Sequence, residues 1–259
     1  SQKLSTRVLA WFLESRVEGE PFRFHDYPVE QLWGVQNQTP DFLINAHAIT
    51  DRRGAEDYLS RLSEVGRKFD QVMEGLEKRQ QIGVIPPRFV IERVLAGMRD
   101  FAGKPAAENP LYTHFASRLA ALDELAPADR ATLLTRCAQA LDGGVVPAYR
   151  RLIAFFEQQL PRSTTDDGVW KLPDGDAYYR HLLREQTSTR MTPQEVHDLG
   201  LAEVARIEAE MKAILLAQAE LRPQESVAQA LARLAREPRF LYPDNDDGRR
   251  AALADYSAM

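Results

Sequence analysis

Five histidines, one cysteine and a pair of adjacent tyrosines are the side chains here with the clearest chemical potential. Zinc hydrolases commonly set two histidines four residues apart on one helix, with a glutamate after the first as base (H-E-x-x-H). His25, His47, His114, His181 and His197 do not follow that pattern; none has a second histidine three to five positions away. His181 and Glu185 lie one helical turn apart and could in principle chelate, but a solvated pair on a helix face accounts for the spacing better. Asp166, Asp167, Asp174 and Asp176 lack the spacing of a calcium loop and suit turns and caps. No P-loop, G-x-G-x-x-G or G-x-S-x-G is found. Cys137 falls in line with Leu133, Leu134 and Leu141, the pattern of a buried structural thiol, and as the lone cysteine it can form no intrachain disulfide. Residue chemistry alone therefore assigns no catalytic residue, no metal ligand and no cofactor to this chain.

Tyr178 and Tyr179 stand at the start of a helix that follows the turn Leu172-Pro173-Asp174-Gly175-Asp176. Proline presets φ there, aspartate favours the turn, and glycine relieves the backbone. Neighbouring residues on a helix point about 100° apart, so one ring can pack while the other faces a groove. The two phenols could donate to a substrate carbonyl or a developing oxyanion. Equally, they could be two partly buried aromatics with hydroxyls at the surface. With His181 one turn on, they are the substrate-cleft candidates of the chain.

The elements that must position them read as amphipathic helices. The first spans about Thr6 to Val17, and Pro21 stops it. Thr39-Pro40 reads as a cap followed by a first helical residue, with Gln36, Asn37 and Gln38 in the preceding loop. The clearest long stripe runs from Arg53 to Gln81, and Gly83 sits where a C-terminal cap belongs. Pro86-Pro87 and Asn109-Pro110 open two further helices. A helix from about Ala128 to Leu141 is followed by Asp142-Gly143-Gly144, and another starts near Pro147 and ends at Pro161. Thr192-Pro193-Gln194-Glu195 is a capping box opening a helix whose core stripe is Val196, Leu199, Val204, Ile207, Met211 and Ile214. Gly200 within it suggests close approach of another helix. Pro223 opens a helix through Leu234, and Asp244 or Asn245 caps a last one. The fold class is all-α, a multi-helix bundle of antiparallel amphipathic helices, in a single helical region over residues 1–259.

Composition narrows the function classes. The formal charge of −5 gives no general attraction to nucleic acid or anionic membrane, and the arginines are spread along helix faces. No apolar run approaches the roughly 20 residues of a transmembrane helix, and no signal-peptide pattern is read. The compartment stays open between bacterial cytoplasm and periplasm.

The stretch GVWKLPDGDAYYRHLLREQTSTRMTPQEVHDLGLAEVARIEAEM (residues 168–211) resembles the signature of a bacterial helical family, the domain of unknown function DUF885. The resemblance extends through YPVEQLWGVQNQTPDFLINAHAI, GVIPPRFVIERVL and GVVPAYRRLIAFFEQQLP, in matching order over most of the chain. Members of that family look like zinc metallopeptidases, with an HExxH-type motif in a C-terminal half. This sequence ends before any such motif, so no zinc ligand and no base carries over. The resemblance implies the N-terminal half of a longer protein, one wall of a cleft for a peptide substrate, with Tyr178 and Tyr179 facing it. Zinc is then expected only in a full-length relative, and a C-terminal half or a second copy is the expected partner. The alternative is a non-catalytic helical binding or scaffold module.

Overall fold

The computed structural model describes residues 2–258 and divides the chain into two compact units, Ser1–Gln186 and Thr187–Met259. Among the described residues every regular element is helical, as the periodicity predicts. The first unit holds α1 (Gln2–Glu18), α2 (Val35–Asp41), α3 (Arg52–Ser63), α4 (Val65–Gln81), α5 (Arg88–Gly103), α6 (Pro110–Ala120), α7 (Pro127–Ala140), α8 (Val146–Gln159) and α9 (Gly175–Thr187). The second holds α10 (Pro193–Ala217), α11 (Val227–Leu234) and α12 (Asp246–Ala258).

Two long arms form the centre of the first unit. The stripe read as one helix from Arg53 to Gln81 is interrupted at Glu64, giving α3 and α4. The opposite correction applies to Asp142-Gly143-Gly144. These residues do not break the chain but form a π-turn, Leu141–Val145, that joins α7 to α8. The arms run parallel. Arg52 pairs with Asp129, Arg136 with Glu56, Arg151 with Asp70 and Gln159 with Gln80, at nearly constant sequence separations of 77, 80, 81 and 79. Exposed pairs of this kind contribute only about 0–1 kcal/mol each, so they mark the register while apolar packing holds it. The two irregularities face each other: a Cβ on Gly66 would lie 3.7 Å from the Gly144 carbonyl oxygen.

Helix α5 packs antiparallel on α8, with Phe101 stacked on Tyr149 at 4.4 Å and Arg99 bonded to Glu157 at 2.6 Å. Tyr58, Leu62, Phe69, Phe115, Leu152 and Phe156 complete a fully buried core. Asn109 caps α6 as expected, accepting from the Leu111 amide at 3.0 Å. Gly83 takes φ +84 after α4, the left-handed cap conformation.

Thr39-Pro40 does not start a helix. Helix α2 begins at Val35 and carries Pro40 inside it. Gln36 and Asn37 are helical, and their amides donate to the carbonyls of Glu30 (2.6 Å) and Gln31 (3.1 Å), fastening the preceding loop. Pro40 has no N–H to give the Gln36 carbonyl four residues back. The buried Tyr149 hydroxyl donates to that carbonyl instead.

Helix α1 presents Leu4, Val8, Leu9, Phe12, Leu13 and Val17 as exposed residues. In the second unit the Thr192–Glu195 capping box forms as read. The stripe it introduces is not a core, however: Leu199, Val204, Ile207 and Ile214 are exposed, and only Leu215 of α10 is buried. Among the described residues nothing lies within 4 Å of a Cβ placed on Gly200, so none of the described helices makes the close approach expected there. Pro223 precedes α11 without opening it; Ser226 does so, through a second capping box with Gln229. Asn245, rather than Asp244, caps α12, accepting from the Gly248 amide at 2.8 Å.

A small apolar cluster of Leu215, Val227 and Ala230 joins α10 to α11. Beside it Arg233 donates through two nitrogens to Glu225, both at 3.0 Å, and to the Glu220 carbonyl at 2.6 Å. The guanidinium holds the Glu225 carboxyl down at about 2, against an ordinary value near 4.5. A carboxyl whose folded pKa is lowered contributes stability above its unfolded value, and that stability is lost as pH falls toward the folded value. Helicity followed by circular dichroism in thermal melts should therefore weaken progressively between about pH 4.5 and pH 2. Arg233→Met should make that slope shallower.

Candidate functional site

The Leu172–Asp176 turn is built by close approach. Asp174 adopts the left-handed conformation (φ 50), while Gly175 is needed for space: a Cβ on it would lie 2.1 Å from the Val169 carbonyl oxygen. The turn therefore uses its aspartate for the unusual φ and its glycine for clearance. Helix α9 starts at Gly175, and the Tyr178 amide donates to the Asp174 carbonyl at 3.0 Å. Arg184 of α9 bonds Glu18 of α1 at 2.5 Å, fixing the helix from its other end.

A second tether comes from residues 22–27. Arg79, near the end of α4, donates to the Asp26 carbonyl at 3.0 Å and to its carboxylate, which anchors this aromatic segment. His25 is 7% exposed, and its Nε2 lies 2.8 Å from the Pro173 carbonyl oxygen. A carbonyl only accepts, so Nε2 donates this hydrogen bond. The Nδ1 of the same ring is buried and has no hydrogen-bond partner among the described residues.

Tyr178 packs against this histidine, its ring centroid 5.1 Å from His25 and 5.5 Å from Phe22. His181 meets the same Phe22 ring at 5.8 Å. Two of the three cleft candidates thus converge on one aromatic cluster. Tyr179 does not join them and is 45% exposed. Glu185 bears on Tyr178 electrostatically. Burial raises the Tyr178 phenol above its ordinary value, and the charges of Asp26 and Glu185 raise it further. Burial, aided by Tyr178, pushes Tyr27 up to about 12. Both phenols stay protonated at neutral pH. The arrangement can donate a hydrogen bond from Tyr178 and leaves His25 Nδ1 beside it as a second polar atom, without a partner among the described residues.

His25 was not among the sequence candidates. Its only signal is its place in the aromatic-rich PFRFHDYP, which says nothing of a partner 148 residues away. The other histidines lie apart. His47 contacts the Gly54 carbonyl at 2.9 Å and accepts from Arg61, and His197 is exposed. Cys137 is fully buried, and burial pushes its thiol up to about 12, in keeping with a structural role. Among the described residues no three His, Cys, Asp or Glu side chains converge as a metal-ligand set. The residues present do not fit a zinc site, and no step through zinc is assigned to them.

The family model described as "Bacterial protein of unknown function (DUF885)" matches residues 1–259. The chain belongs to the DUF885 family. No curated protein matches it. Among solved structures it is similar to one titled "The crystal structure of the putative lipoprotein from Colwellia psychrerythraea", with a TM-score of 0.81 and 27% identity. The similarity covers 90% of this chain and 39% of that one, so the chain spans well under half the length of that protein. None of the described helices is long and apolar enough to cross a membrane.

Two outcomes test the geometry. Gly175→Ala must displace backbone, not a flexible side chain, and should cost about 2–3 kcal/mol in denaturant unfolding. For Tyr27 the folded pKa is raised, so its contribution is intact below about 10 and is lost as pH rises toward 12. Tyr27→Phe should flatten the alkaline fall of the melting temperature over that window and remove one late-titrating phenol from the absorbance titration at about 295 nm.

Proposed function

We propose that this chain forms one wall of the substrate cleft of a zinc-dependent, peptidase-like hydrolase, with the metal and the general base carried by sequence outside these 259 residues. The observation that carries the reading is the Tyr178 ring packed 5.1 Å from the buried His25 imidazole. In such enzymes the bound metal polarises the scissile carbonyl and activates water. The role of this chain is to bind and orient. Tyr178 donates to a peptide carbonyl, His181 lines the same aromatic cluster, and Tyr179 extends the wall toward solvent. The exposed apolar faces of α1 and α10 support the reading, because stripes of this size ordinarily meet a partner surface. The greater length of the matched solved protein supports it as well.

Zinc content and cleavage of fluorogenic peptides test the proposal, measured on this chain alone and on the full polypeptide its gene encodes. The chain alone should hold no stoichiometric zinc and cleave nothing. The full polypeptide should hold about one zinc and cleave peptide, and Tyr178→Phe should lower kcat/KM by roughly 10²-fold. Stoichiometric zinc or cleavage in the 259-residue chain would sink this division of labour. A full polypeptide with neither zinc nor cleavage would leave the non-catalytic helical binding or scaffold module standing.

A further inference from the structure

Where α3 gives way to α4, the surface carries a groove of about 370 Å³, within the range of small-molecule sites. Its floor is apolar, formed by Leu43 and Val65, both almost fully buried. Its rim is basic. Arg61, Arg67 and Lys68 line it with a single carboxylate, Glu64, which Arg67 engages at 2.5 Å. That leaves two cations without an anion. Among the described residues Lys68 donates to the Thr39 hydroxyl, at 2.9 Å, and retains further N–H donors. Arg61 gives one N–H to His47 Nδ1 and lies over the face of Phe42, 5.8 Å from its centroid. Among the described residues neither cation has a carboxylate within ion-pair distance. In a chain of net charge −5, this cluster of three cations around one carboxylate is a local reversal of sign.

The positions are set by the fold. The Thr39 hydroxyl donates to the Val35 carbonyl at 2.7 Å, so its lone pairs point to Lys68. His47 is held by Gly54, so its free nitrogen aims at Arg61. Both ammonium and guanidinium are thereby held over an apolar floor before any ligand arrives, which lowers the ordering cost of binding.

We infer that this groove binds an organic carboxylate with an apolar group beside it, the chemistry shared by the C-terminal residue of a peptide and by a free aryl- or alkyl-carboxylic acid. The carboxylate sits between Arg61 and Lys68, and the apolar group lies on Leu43, Val65 and the Phe42 ring. The inference does not rest on the peptidase reading, since the groove is built from α2, the π-turn Phe42–Ala46 that follows it, and the α3–α4 junction.

Isothermal titration of this chain with N-acetylphenylalanine, N-acetylphenylalaninamide and 3-phenylpropanoate tests it. The two acids should bind saturably. The amide, and either acid on Lys68→Met or Arg61→Met, should bind at least about tenfold more weakly, the scale of one charge-assisted hydrogen bond. Both substituted positions are exposed, and circular dichroism will show that the variants keep their helices. Tighter binding of N-acetylphenylalanine than of 3-phenylpropanoate marks a peptide C-terminus as the source; equal binding marks a free acid; either ranking supports the site. Equal binding of acid and amide, unchanged binding by both variants, or no saturable heat with either acid at millimolar concentration overturns it.

Discussion

The first unit depends on two helical arms of about thirty residues lying parallel in a fixed register. Parallel packing over that length sets a geometric problem. Apolar residues spaced by three and four drift around a straight 3.6-residue helix by about 20° per heptad. Four heptads would carry the stripe well off the contact line. Each arm meets the problem locally, one by an interruption at Glu64 and the other by the π-turn at 141–145. The two adjustments sit opposite each other, with Gly66 facing the Gly144 carbonyl. With the phase reset there, Tyr58 and Leu62 on one side of the irregularity and Phe69 and Phe156 on the other all reach the same core.

Position is passed from these arms to the aromatic cluster by a short series of contacts. Arg79 near the end of α4 holds Asp26; the segment of Asp26 presents His25; His25 meets the Pro173 carbonyl; and the turn at Pro173 launches α9 with Tyr178. Every link uses a backbone carbonyl or a buried ring, so the cluster is placed by main-chain geometry more than by surface charge. The same logic governs the basic groove, where Thr39 and His47 aim Lys68 and Arg61.

Local signals in the sequence proved reliable wherever the physics was local. The Thr192–Glu195 box, the Asn109 cap and the burial of Cys137 need only near neighbours, and each forms as read. The errors arose where a distant group decided. Gly143-Gly144 has the composition of a break, but packing against the other arm keeps it helical. Thr39-Pro40 has the composition of a helix start, but the Tyr149 hydroxyl supplies the hydrogen bond that Pro40 cannot, and the helix passes through. The stripe on α10 has the right period for a core, yet a period says only that a face is apolar, not that anything covers it. At the candidate site Tyr178 and His181 were legible from their turn and spacing. His25 was not, because its partner is a main-chain oxygen that no residue type announces.

The π-turn makes chain length a conserved quantity. In a loop, losing a residue shortens a tether and little else. Here, losing one residue from 141–145 would tighten the π-turn into an α-turn and undo the phase adjustment between α7 and α8. Tyr149 would leave Gln36, Phe156 would leave the core, and the register with α4 would slip. Change in this arm should therefore proceed by substitution, while insertions and deletions collect in the segments between helices.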